Sequence, residues 1–214
     1  MIEIKSLDEL EKYLDSIKVV IFDLDDTLYN EVDYVKSGYK KVAQFLTCVK
    51  DCENKLFSFF LNKKNAIDEL LIKEGIFSQE LKNKCLDIYR NQFPQISLSL
   101  QTIELLKRLK QQGFILGIIT DGRPEGQRAK IKALDLENRI DEIIVTDELG
   151  GAEFRKPNPF AYELMLEIIR KKYDKSVKYE DMCYVGDNIN KDFIACDKKG
   201  IQSIWFSNPS GIYN

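Results

Sequence analysis

The residues that most constrain this chain are Val19-Val20-Ile21-Phe22-Asp23-Leu24-Asp25-Asp26-Thr27-Leu28. A short apolar run rich in β-branched side chains reads as a strand buried on both faces, as strands of parallel sheets are. This one runs directly into clustered carboxylates. Open α/β sheets bind their ligands at the carboxyl ends of their strands, so the acidic end of the run is expected at a reaction centre. Asp23 and Asp25, two residues apart, sit side by side at its tip. Two such charges repel, and they need a cation or a shared proton.

The 214 residues contain no histidine. That excludes Ser-His-Asp and Cys-His hydrolases, phosphohistidine chemistry and His-ligated metals. Acid–base work must fall to carboxylates, Lys, Tyr, Cys or a metal-bound water. Hard oxygen donors without His or Cys point to Mg²⁺. With a net charge of −3, neither nucleic acid nor an anionic membrane is expected as a partner. No apolar run has the length of a membrane span, and the first residues do not read as a signal peptide. Five cysteines, an odd number without a paired pattern, read as reduced thiols of a cytoplasmic protein. Oligomeric state is not legible.

The rhythm changes along the chain. Residues 1–17 read as a short helix opened by the capping-box spacing Ser6-Leu7-Asp8-Glu9. From about residue 30 to 95 apolar residues recur every three or four positions (Tyr34, Val35, Tyr39, Val42; Leu56, Phe59; Ile67, Leu70, Leu71; Leu81, Cys85, Ile88), which predicts four helices and no strand. After residue 100, helices alternate with apolar runs at 114–120, 142–146, 182–186 and 202–205. Such alternation implies a parallel sheet with right-handed crossovers. The expected fold class is therefore α/β: a doubly wound core of residues 1–28 and 100–214, with an all-α insertion over 29–99.

The strand ends carry residues suited to phosphate. Thr120-Asp121-Gly122 offers a hydroxyl and a turn whose N–H groups can hold an anion. Arg155-Lys156-Pro157 places Lys156 before a helix expected to start at Pro157, where the helix N-terminus itself favours anions. Gly186-Asp187-Asn188, with Asp192 five residues after Asp187, adds two carboxylates at the same sheet edge.

Taken in order, these segments resemble the four motifs of the haloacid dehalogenase-like hydrolases. "FDLDDTLYN" resembles the first, "IITDG" the second, "FRKPNP" the third and "VGDNINKD" the fourth. The likeness covers roughly residues 18–206, and the helical insertion resembles a type 1 cap with hinges near Leu28–Glu31 and Ser97–Leu100. The resemblance implies a nucleophilic Asp23 that forms an aspartyl-phosphate, and an acid–base Asp25. It implies Mg²⁺ held by Asp23, the backbone carbonyl of Asp25 and Asp187, with Asp192 and Asn188 binding through water or orienting these ligands. Thr120, Lys156 and the N–H groups around Asp121 and Gly122 would hold the phosphoryl oxygens. Asp26 would only fix the loop. Asp25 separates phosphatases from dehalogenases, which lack a second acid there. "TDGRPEGQRAKIKAL" and "RKPNPFAY" are closest to the phosphatase branch. The expectation is a phosphatase of a small phosphorylated metabolite. A phosphomutase or dehalogenase of the same family and a receiver-like regulatory module are the alternatives. Tyr29, Asn30, Tyr34, Tyr39 and Arg90, the only Arg of the insertion, are the candidates for contact with the rest of the substrate.

Overall fold

In the computed structural model, residues 1–212 are described. They divide into two compact units, one of residues 1–31 and 97–212 and the other of residues 32–96. The first unit opens with strand β1 (Ile2–Ile4), a 3-10 helix (Leu7–Tyr13) and strand β2 (Val19–Phe22). Four helices follow: α1 (Glu31–Phe45), α2 (Cys52–Leu61), α3 (Ala66–Lys73) and α4 (Gln79–Arg90). Then come α5 (Leu100–Gln111), β3 (Ile115–Thr120), α6 (Pro124–Ala133), β4 (Glu142–Val145), α7 (Phe160–Lys172), β5 (Met182–Gly186), α8 (Ile194–Lys199) and β6 (Gln202–Phe206). No helix among the described residues is long and apolar enough to cross a membrane.

The six strands form one parallel sheet in the order β1-β6-β5-β2-β3-β4. From β2 the chain moves one way to β3 and β4, then returns to the other side for β5 and β6. The direction reverses beside β2, the place where such sheets bind ligands. Side chains alternate across the pleat. Val19 and Ile21 join Ala161, Tyr162, Met165 and Ile169 of α7 and Cys196 of α8 in one buried cluster. Val20 and Phe22, also fully buried, point to the opposite face. With both faces covered, β2 is apolar at every position, which is why it reads as a continuous run.

Three sequence expectations are corrected. Residues 2–4 extend the sheet through pairing of β1 with β6, and the helix of the N-terminal segment is a 3-10 helix. Its predicted capping box is present, with Ser6 and Glu9 satisfying each other's backbone N–H groups. A three-residue strand whose outer face is partly exposed has too little apolar alternation to be read from sequence. The helix expected at Pro157 begins only at Phe160, and the one expected at about 190 begins at Ile194. Both start late because the chain is first spent on site loops.

The second unit is all-helical, as its periodicity requires. Val42, Leu56, Leu70, Leu71 and Cys85 are fully buried within it. Arg90, the last residue of α4, is exposed on a cleft of about 370 Å³ lined also by Tyr39, Lys64, Lys82 and Tyr89.

Candidate active site

Register brings the strand ends together. Phe22 pairs with Ile118 of β3 and Val185 of β5, and Asp23 N–H continues the ladder to Val185 O at 2.8 Å. Asp23, Thr120 and Asp187 therefore leave the same edge of three adjacent strands. Lys156, buried in the loop before α7, is the cation of this edge. Its ammonium lies 2.8 Å from Asp23 Oδ1, 2.7 Å from Tyr184 Oη and 2.8 Å from Asp192 Oδ1. Tyr184 in turn donates to Ile119 O. The contact to Asp192 has the distance of an ion pair but not the alignment of a hydrogen bond, and among the described residues nothing else donates to that oxygen. Lys156 is not the point charge at a helix N-terminus that its sequence position suggested. Burial disfavours its charge, yet Asp192 and Asp23 together hold its pKa well above the ordinary lysine value.

Asp192 reaches this position because residue 186 is glycine. A Cβ there would lie 2.5 Å from Asp192 Oδ2 and 2.9 Å from its Cγ. The same carboxylate accepts the N–H of Asn188 at 2.9 Å and closes the loop. Asp187 is partly buried, and Trp205 Nε1 donates to its carbonyl at 2.9 Å. Asp23, Asp187 and Asp192 each bring one carboxylate oxygen within 4.8 Å of the others.

That donor set fits a divalent cation. Burial pushes the Asp187 carboxyl up to about 8, with Asp23 and Asp192 adding to the rise. Burial likewise lifts Asp23 to about 6, against the pull of Lys156. The carboxylates are thus short of positive charge, and Lys156 contacts only two of the three. All three donors are oxygens, the set that suits Mg²⁺.

The side chain of Asp25 stands outside this cluster and has a cation of its own. Lys130 Nζ spans both oxygens at 2.7 and 3.0 Å. Gln127 Nε2 donates to Oδ2 at 2.9 Å, and the Tyr29 hydroxyl donates to Oδ1. Burial alone would raise this carboxyl, but Lys130 and these hydrogen bonds outweigh it and leave it lowered. The pairing of Asp23 and Asp25 through one shared cation or proton is therefore replaced by separate compensation. Gln127 also donates to Thr120 Oγ1 at 2.6 Å. Asp121 uses its carboxylate as a brace, accepting from Thr146 Oγ1 and Lys156 N–H. Gly122 follows at φ +137°, a backbone state open to glycine.

Asp26 lies in the left-handed region at φ +52°. Its carboxylate accepts the N–H groups of Glu31 and Ile212, and its carbonyl accepts Asn208 Nδ2 at 2.8 Å. It ties the loop after β2 to the segment after β6. Tyr29, a candidate for substrate contact, is instead buried in the first unit with its hydroxyl on Asp25. Asn30 receives a hydrogen bond from Asn208 at 3.3 Å. Arg90, Tyr34 and Tyr39 belong to the helical unit.

Gln127, Lys130, Tyr184 and Asn208 were not singled out by sequence. Tyr184 reads as core and Gln127 and Lys130 as a solvated helix face. One signal was available for the last two. The segment of α6, Pro124-Glu125-Gly126-Gln127-Arg128-Ala129-Lys130-Ile131-Lys132-Ala133, has a single large apolar residue. A helix that crosses from β3 to β4 over a face of the sheet must bury something, and here it buries Gln127 and Lys130 beside Ile131.

Comparison with known proteins gives the family. The family described as haloacid dehalogenase-like hydrolase matches residues 20–206. Among curated proteins, a glyceraldehyde 3-phosphate phosphatase of Pyrococcus furiosus is 26% identical over 202 residues, covering 89% of this chain and 80% of its own. An (S)-2-haloacid dehalogenase of a Pseudomonas species is 27% identical over 124 residues, 58% of this chain and 49% of its own. Among solved structures, the Bacillus subtilis HAD-hydrolase YfnB bound to magnesium superimposes with a TM-score of 0.64 at 18% identity, over 88% of this chain and 86% of that one. At that identity the superposition speaks for the fold alone.

Proposed function

We propose, for a chain that belongs to the haloacid dehalogenase-like hydrolases, the activity of a phosphatase that removes phosphate from a small phosphoric monoester by way of an aspartyl-phosphate. In the first step an oxygen of Asp23 attacks phosphorus, and the bond from phosphorus to the leaving alkoxide breaks. Asp25, ionised in the free enzyme, takes up a proton as the anionic phosphate enters beside it and gives that proton to the alkoxide. In the second step Asp25 takes a proton from water, which attacks the same phosphorus. The Asp23–phosphorus bond breaks, and inorganic phosphate leaves with both carboxyl groups restored. Lys156 holds Asp23 Oδ1 at 2.8 Å, which orients the other oxygen for attack. The Thr120 hydroxyl, the N–H groups around Asp121 and Gly122, and Lys156 would bind the phosphoryl oxygens.

Asp23, Asp187 and Asp192 would hold Mg²⁺, with the backbone carbonyl of Asp25 as a further donor. The ion would offset negative charge as the phosphate enters. The observation that carries the reading is the separate housing of Asp25. One carboxylate sits in the acidic cluster and suits nucleophilic attack, while the other, with different partners, suits proton transfer. A dehalogenase of this family has no use for the second. The glyceraldehyde 3-phosphate phosphatases and a phosphoserine phosphatase of Thermus thermophilus support a small aliphatic phosphate as substrate. Arg90 remains our candidate for a second anionic group on it.

Steady-state hydrolysis of p-nitrophenyl phosphate with Mg²⁺ tests the proposal. Wild type should turn over, and Asp23→Asn should lose roughly three or more orders of magnitude in kcat. No turnover by wild type, or equal turnover by Asp23→Asn, overturns it.

A further inference from the structure

Helix α6 buries a glutamine and a lysine, both less than 6% exposed, where apolar residues would pack at lower cost. Ordinary core packing does not account for the choice, but their targets do. Gln127 and Lys130 are three residues apart, hence on one helix face. The two hydrogens of the Gln127 amide are divided between Thr120 Oγ1 at 2.6 Å and Asp25 Oδ2 at 2.9 Å. An amide nitrogen can only donate, so the Thr120 hydroxyl must accept from it. The hydroxyl proton is thereby turned away from Gln127 and left to serve as a donor. Lys130, Gln127 and Tyr29 hold both oxygens of Asp25 and so fix the plane of its carboxyl. Gly122 makes room for this: a Cβ there would stand 3.3 Å from both Cγ and Cδ of Gln127.

We propose that Gln127 and Lys130 are positioning residues acting as one unit, which sets the Thr120 hydroxyl as a phosphate donor and aims the Asp25 carboxyl at the leaving oxygen. The inference rests on the phosphatase reading above and extends it to two residues outside the acidic motifs. Neither touches the reacting atoms. Each acts through a group that does.

The test compares an alkyl phosphate with p-nitrophenyl phosphate, whose leaving group needs little protonation, in folded Lys130→Met, Lys130→Arg, Gln127→Glu and Gln127→Leu. Lys130→Met should lose at least about tenfold more kcat on the alkyl ester than on the aryl ester, because only the former depends on an aimed acid. Combined with Asp25→Asn it should add less than about twofold to the loss that Asp25→Asn already causes. Gln127→Glu replaces a donor by an acceptor and reverses the Thr120 hydroxyl. KM for both esters and the inhibition constant of inorganic phosphate should rise about tenfold, and more than in Gln127→Leu. If Lys130→Met does not fold, Lys130→Arg decides, since it keeps the charge but shifts the contact and should show the same bias toward the alkyl ester. Equal losses on both esters, full additivity with Asp25→Asn, or unchanged phosphate inhibition in Gln127→Glu overturns the proposal. Wild type without phosphatase activity would instead overturn the reading it rests on.

Discussion

Lys156 carries its charge where its side chain has no exposed surface, and two buried carboxylates depend on it. Removing one partner of such a group leaves the others charged and without compensation, at a cost of about 3–5 kcal/mol. Lys156→Met should therefore lower the urea midpoint by the equivalent of that amount, and Asp23→Asn added to it should recover part of the loss. A simple sum of the two single losses would mean that the carboxylates find another partner. The residue type at 156 was readable from Arg155-Lys156-Pro157, but its setting was not. A lysine before a proline reads as a surface charge until the sheet brings Asp23 and Asp192 to it from positions 133 and 36 residues away. Local sequence carries no record of such pairings. The acidic residues were legible for the opposite reason: they follow apolar runs that fix them at strand ends.

At the scale of elements, the buried strands were legible because β2, β3 and β5 lie inside the sheet and run apolar up to their carboxyl ends. The edge strand β1 was not, since three residues with one partner carry little pattern. Helix α6 follows from the alternation of helices and strands, but its inward face does not, because hydrophobic periodicity cannot mark a helix that packs through Gln127 and Lys130. The segment after β6 behaves similarly. Asn208 is buried, donates to Asp26 O at 2.8 Å and reaches Asn30. Its role follows from a partner 182 residues earlier. Asn208→Ala should leave the Asp26 carbonyl without that donor and cost about 1–3 kcal/mol in denaturant unfolding. It should also slow turnover, because Asp25 adjoins the loosened loop. Unchanged stability together with unchanged turnover would show that the segment does not brace the loop.

For the molecule as a whole, the carboxylates of the cluster set how stability responds to pH. Asp187 and Asp23 titrate in the folded chain at about 8 and about 6, above the value near 4 of an unstructured carboxyl. Between about pH 4 and 8 the folded state thus holds more protons than the unfolded one, and its stability falls as pH rises through that range. The lowered group, Asp25, works in the other sense only in more acid solution. Thermal melts of metal-free protein from about pH 5.5 to 8.5 should show a declining contribution from these groups. Added Mg²⁺ should raise Tm more at the upper end, where it no longer competes with protons. A Mg²⁺ shift that is the same at every pH would contradict this account. The chain has no histidine, so no imidazole titrates against Asp23, Glu31, which burial raises to about 7, and Asp187 in the neutral range. In a weakly buffered solution near pH 7, the acid released as a cation enters would come from these few carboxyl groups, and a glass electrode could count the filling of the site directly.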